Sequence, residues 1–135
     1  TVITVKPTKE LSLVLNYDTA KQEKGSAMVA GEDAKWNAIV GYINYQINDK
    51  TQSSLRLEQF DDKGGMKLGT VADVNGVAQA QKVQSITLTG AYAAADNFVM
   101  RGEIRQDKSN QKAYMKDSKA TDKQMYFAVE GIYKF

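Results

Sequence analysis

Residues 124–135 read QMYFAVEGIYKF. Taken alternately from the end, one set is Phe135, Tyr133, Gly131, Val129, Phe127 and Met125. The other is Lys134, Ile132, Glu130, Ala128, Tyr126 and Gln124. The first set is apolar and aromatic, and the second is mostly polar or charged. A period of two describes a strand with two unlike faces. Chain ends are more often frayed and polar, so a regular strand closing on an aromatic ring raises the question of what its two faces meet.

The same period runs through the rest of the chain. ELSLVLNYD sets Leu11, Leu13, Leu15 and Tyr17 against Glu10, Ser12, Asn16 and Asp18, with Val14 the exception on the polar side. SSLRLEQF sets Leu55 and Leu57 against Ser54, Arg56 and Glu58. SITLTGAY sets Ile86, Leu88, Gly90 and Tyr92 against Ser85, Thr87, Thr89 and Ala91. NFVMRGEIRQD sets Phe98, Met100, Gly102 and Ile104 against Asn97, Arg101, Glu103, Arg105 and Asp107. WNAIVGYINYQIN is more apolar, with Ile39, Gly41, Ile43 and Tyr45 on one face and Val40, Tyr42, Asn44 and Gln46 on the other. TVITVK adds a strand with Ile3 and Val5 on its apolar side. The count is about seven strands, several longer than the five or six residues usual in globular proteins and near the roughly 9–11 that a tilted strand needs to cross a bilayer.

The connections alternate. PTK, NDKT and AAD are tight turns, while residues 19–34, 61–83 and 108–122 are long and polar. All tight turns therefore fall at one end and all long loops at the other, an asymmetry of transmembrane barrels. PTKELSLVLNYD, NDKTQSSLRLEQFDD and AADNFVMRGEIRQDKS each run turn, strand, acidic exit. That weak repeat reads as successive hairpins rather than four-stranded propeller blades. VADVNGVAQAQ, inside the second long loop, is the one stretch with some helical character.

Composition narrows the function classes. The 135 residues are 25% charged with a net charge of +2, which lacks the basic excess of a nucleic-acid binder. Cysteine and histidine are both absent. Thiol chemistry goes with the first, and the commonest general base and most zinc sites go with the second. No Ser–Lys spacing or glycine-rich phosphate loop is diagnostic, so no enzyme and no cofactor is expected. No apolar run of about 18 residues is present. The mean hydropathy of −0.47 is that of a polar chain, but a strand with one lipid face and one wet face averages to the same value.

Periodicity alone does not say which face is wet. Three features favour apolar outward and polar inward. The polar face carries full charges in mid-strand: Arg56, Glu58, Arg101, Glu103, Arg105 and Glu130. The apolar face carries aromatic rings near strand ends, among them Tyr17, Tyr45, Tyr92, Phe98, Tyr133 and Phe135, where amphipathic rings meet a membrane–water interface. Long alternating strands also suit a closed sheet, the arrangement that satisfies backbone groups in lipid. The expectation is an all-β, antiparallel transmembrane β-barrel of up-and-down topology, one domain over residues 1–135.

Two resemblances sharpen this. The terminal Phe135 with Tyr133 two residues earlier resembles the C-terminal assembly signal of Gram-negative outer-membrane β-barrel proteins. WNAIVGYINYQINDKTQSSLRLEQFDDK, ADNFVMRGEIRQDKSN and FAVEGIYKF together resemble the C-terminal half of the β-barrel porin group, over most of residues 33–135. The resemblance implies an integral Gram-negative outer-membrane protein that passes small polar solutes or ions by passive diffusion. It also implies lipid and lipopolysaccharide as surroundings, the barrel-assembly machinery as a partner of the last strand, and a longer barrel than these strands provide. Seven strands leave Thr1 on the long-loop side in mid-barrel, whereas bacterial barrels usually have an even number. A missing N-terminal barrel portion is the expectation. A strand hidden in residues 61–83, or a homo-oligomer sharing one barrel, are the alternatives.

Candidate residues follow from these faces. Arg56, Glu58, Arg101, Glu103, Arg105 and Glu130 are expected to line a lumen, where they either bias solute choice or are simply paired and solvated. Arg56, Arg101 and Glu130 lie at similar distances from their turns or chain end and are expected at one depth. Tyr17, Tyr45, Tyr92, Tyr133 and Phe135 are the expected membrane belt, and Trp36 a further interface anchor. Asp61, Asp62, Asp107 and Asp117 match no calcium loop and read as solvated loop residues. Two rival functions stand beside the pore: an outer-membrane barrel that scaffolds or sheathes a protein partner, and a soluble β-barrel that binds a small ligand.

Overall fold

The computed structural model describes residues 1–135. It holds eleven strands and no helix: β1 (Val2–Val5), β2 (Leu11–Gln22), β3 (Ala34–Asn48), β4 (Thr51–Asp62), β5 (Val71–Ala72), β6 (Ala78–Gln79), β7 (Gln81–Ala95), β8 (Phe98–Ser109), β9 (Tyr114–Lys116), β10 (Lys119–Thr121) and β11 (Lys123–Tyr133). Seven of them form one antiparallel sheet in the order β1-β2-β3-β4-β7-β8-β11. Each strand pairs with the one before it, so the sheet is the expected meander. It does not close: β1 pairs only with β2, and β11 only with β8.

Strand pairs β5–β6 and β9–β10 are separate small hairpins within the long connections. No strand of residues 63–80 joins the main sheet, which removes the hidden-strand alternative. The helical reading of VADVNGVAQAQ is also overturned, and turn chemistry is the reason. Gly76 sits at φ 79, and the Asp73 carboxylate accepts the backbone N–H groups of Asn75 and Val77. A glycine at positive φ closing such an Asp-capped turn makes a hairpin and ends a helix. The main strands also reach one to four residues further into the long loops than the alternation indicates.

The two faces differ in exposure. Ala38, Val40, Val83, Ser85, Thr87 and Asp107 are buried on one side, while Leu13, Leu57, Leu88 and Val129 on the other are 38%, 47%, 51% and 65% exposed. A single-layer sheet buries one face only by curling, so the polar face is concave. Just four apolar residues are buried in the whole chain, Ala34, Ala38, Val40 and Val83. Such a core is far too small to hold 135 residues in water, and the ladders are what hold this sheet: 69 of its 83 backbone hydrogen bonds lie within the strands.

The outward apolar stripe slants across the ladder. It occupies Leu11–Tyr17 on β2, Ile39–Tyr45 on β3, Ile86–Tyr92 on β7 and Phe98–Ile104 on β8. Register makes Tyr17 a partner of Ile39, but the same row continues as Gln59, Gln84, Lys108 and Lys123. From β2 to β8 the loop-side edge of the stripe thus drops by four residues, and the turn-side edge drops with it. At ~3.3 Å per residue and ~4.8 Å between strands, this is ~13 Å over ~19 Å, a slope of ~35°. If the stripe is level, the strands tilt by that angle, which is the tilt of transmembrane barrel strands.

Candidate functional site: a charged girdle on the concave face

The side chains on the concave face follow from parity. Even-numbered residues of β2, β3, β4 and β11 and odd-numbered residues of β7 and β8 point inward. Two adjacent inward rows form the densest charge cluster. One row runs Tyr42, Arg56, Thr87, Arg105, Tyr126, and the next runs Val40, Glu58, Ser85, Asp107, Gln124. Arg56 Nη2 lies 2.7 Å from Glu58 Oε2, and Arg105 Nη2 lies 3.8 Å from the same oxygen. Arg105 Nε donates to Asp107 Oδ1 at 2.6 Å, and its Nη2 donates to Ser85 Oγ at 3.1 Å. Gln124 Nε2 donates to Asp107 Oδ2 at 2.8 Å. The outer guanidinium faces stand 5.9 Å from the ring centres of Tyr42 and Tyr126. Cation and anion therefore alternate across three strands, between two flanking tyrosines. Paired charges of this kind hold each other in place without a dry core to pay their desolvation.

Nearer the tight turns, Arg101 and Glu130 are direct ladder partners, and Arg101 Nε donates to Glu130 Oε2 at 3.0 Å. Glu103 accepts from Thr89 Oγ1 at 3.1 Å and has no cation partner. All six candidate charges thus stand on the concave face, but they fall into separate sets. Register places Arg56 in the row of Arg105, while Arg101 stands opposite Glu130, four residues from Arg105 along β8. Ladder neighbours follow from register, which distance from a turn does not give.

At the loop end two connections interlock. Asp62 is fully buried, and its carboxylate accepts the backbone N–H groups of Met66, Lys67 and Leu68 at 3.2, 2.7 and 2.7 Å. Gln81 Nε2 donates to the Leu68 carbonyl at 2.8 Å, and Ala27 N–H donates to the Gly64 carbonyl at 2.8 Å. A Cβ on Gly64 would come within 2.6 Å of the Ala34 backbone, so that close approach needs glycine. Asp62 and Asp107 are accordingly structural and not solvated, contrary to the reading of the aspartates. Trp36 is corrected as well. It shares the concave face with Val40, and Lys67 Nζ lies 4.5 Å from its ring centre. Its even number on β3 already carried that information.

On the convex face, Tyr17, Tyr45, Tyr92 and Tyr133 stand at the boundaries of the apolar stripe. The Tyr133 hydroxyl accepts from Asn97 Nδ2 at 2.9 Å in the adjoining turn, leaving its ring exposed beside the stripe. Phe135 lies beyond β11 and is fully exposed. Exposed aromatics on this face and charge on the other leave the soluble-barrel reading without an interior.

No group of three or more Asp or Glu side chains is arranged to hold a metal ion. The girdle sets fixed opposite charges side by side on the concave face, an arrangement able to orient dissolved ions where such a face lines water. No curated protein and no solved structure matches the chain significantly. A family model described as "Putative beta-barrel porin-2, OmpL-like" matches residues 1–135 throughout. The antiparallel meander accords with that match, and the chain belongs to that porin-like β-barrel family.

Proposed function

We propose that this chain forms part of the wall of an outer-membrane barrel through which small polar solutes or ions diffuse passively, guided by the Arg56–Glu58–Arg105–Asp107 girdle. The observation that carries the reading is the inversion of polarity: ion pairs on the concave face and bare Leu, Ile, Phe and Val side chains on the convex one. Membership of a porin-like family supports it, and a wall of this kind calls for no catalytic group. The free edges of β1 and β11 would each leave backbone groups unpaired in hydrocarbon, at several kcal/mol apiece. The working barrel therefore carries further strands along both edges.

The test is electrical. The protein is inserted into a planar bilayer, with insertion verified by protease protection. Steady ohmic current in potassium chloride supports a pore. Silence after verified insertion overturns it in favour of a plugged or sheathing barrel.

A further inference from the structure

We propose that the convex face carries a binding site for a phosphate-bearing lipid of the loop-side leaflet, with Lys108 and Lys123 holding the phosphate and a groove over Gly41 holding an acyl chain. The site rests on the membrane reading above and goes beyond it by naming a ligand class and its residues.

The groove has a volume of about 570 Å3, and its apolar floor includes Leu15, Gly41, Leu57 and Ile86. Gly41 makes the dip, because a Cβ there would point into open space on the outward face. Lys108 and Lys123 stand on the rim of the same groove. They are direct ladder partners on β8 and β11, and like charges placed directly opposite one another destabilise a sheet. Neither forms an ion pair.

No carboxylate of the main strands stands beside them on the outward face. Asp18, Glu58, Asp62, Glu103, Asp107 and Glu130 all point to the concave side. Asp61 is the carboxylate on the outward face of the main strands, and it lies two strands away, opposite Lys82 on the ladder. An external anion is what relieves the pair. Position says which anion. On β8 the apolar stripe ends at Ile104, and Lys108 follows one turn of alternation beyond Gln106, at the level where headgroups replace hydrocarbon. Long lysine stems bury their methylenes along apolar surface and keep the ammonium in the interface. A lipid phosphate at that level lays its chain down the groove toward Leu57, and each lysine near such a surface contributes about a fivefold gain in binding.

The experiment uses the protein in phosphatidylcholine micelles doped with phosphatidylglycerol, with retained lipid measured by native mass spectrometry. The expected result is retention of phosphatidylglycerol over phosphatidylcholine, lowered roughly 25-fold in K108Q/K123Q and kept in K108R/K123R. Gly41→Leu, which fills the groove without touching charge, is expected to weaken retention too. Equal retention of the two lipids, or no change in K108Q/K123Q, overturns the site. Flotation with vesicles separates the two levels: a protein that fails to float sinks the membrane reading and this site with it, whereas one that floats without lipid preference sinks the site alone.

Discussion

Replacing Glu58 with glutamine tests whether ions pass the girdle. The carboxylate sits between two guanidinium groups, 2.7 Å from Arg56 and 3.8 Å from Arg105, and its side chain is 15% exposed. Glutamine keeps the shape and removes one negative charge, leaving both arginines with a smaller share of anion. An ion moving along the concave face passes about 6 Å from that position. One unit charge at this range in water changes its energy by ~0.7 kcal/mol, and screening at a Debye length of ~10 Å reduces this to ~0.4 kcal/mol. A cation then becomes about twofold less concentrated there and an anion about twofold more, so the cation-to-anion permeability ratio falls roughly fourfold. The measurement is the reversal potential of single channels in a potassium chloride gradient. Arg56→Met removes a positive charge from the same cluster and is expected to shift the potential the opposite way. An unchanged reversal potential in both variants, with conductance intact, means the conducting path avoids the girdle and the reasoning is wrong.

Three further outcomes follow from the two faces and the loop end. Leu88→Arg puts a charge in mid-stripe, where Leu88 is the ladder partner of Leu55 and Ile104; in bilayers it is expected to cost about 2–4 kcal/mol by urea unfolding, whereas a cost within about 0.5 kcal/mol would mark an ordinary wet surface. Asp62→Ala orphans three backbone N–H groups; faster hydrogen exchange at Met66, Lys67 and Leu68 is expected, with a loss of about 1–3 kcal/mol, and unchanged protection would show that the carboxylate does not hold the loop. The Asp33 carboxyl is held below its ordinary value by the hydrogen bond and ion pair with Lys21, and by the Lys24 backbone N–H. A depressed folded value contributes stability above the unfolded value of about 3.9, lost as pH falls through the lower folded one. Acid is therefore expected to release the Lys24 amide to exchange, and Asp33→Asn to flatten that dependence; identical acid profiles for the two proteins would count against the contact.

Much of the architecture was legible because parity is a local property that survives folding. Once QMYFAVEGIYKF places Phe127 and Val129 against Glu130, every alternate residue of β11 has its side assigned, and the same logic sorts Leu57 from Arg56 on β4 and Ile104 from Arg105 on β8. The short turns and long loops then fix which ends lie together. Trp36 shows the cost of leaving that logic: residue type suggested an interface ring, while parity with Val40 put it inside, beneath Lys67. What parity does not carry is register between strands, which is a property of pairs. Arg56 and Arg101 are equally far from their turns, yet the stagger of β4, β7 and β8 sets Arg56 beside Arg105 and leaves Arg101 to Glu130.

The same limit explains the aspartates. Asp62 follows Asp61 in the chain, so composition alone treats them as one acidic exit. Alternation separates them, because Asp62 turns inward, where three N–H groups of a returning loop wait, and Asp61 turns outward opposite Lys82. The returning loop is set by Gly64 against Ala34, a contact 30 residues apart in sequence that no local pattern announces. The slant of the apolar stripe is the intermediate case. Each strand's four outward stripe residues are readable alone, but the drift from Leu11–Tyr17 to Phe98–Ile104 acquires meaning only once the ladder aligns Tyr17 with Lys108. Register thus turns four separate patterns into a single tilt of ~35°, which is a property of a strand crossing a slab at an angle.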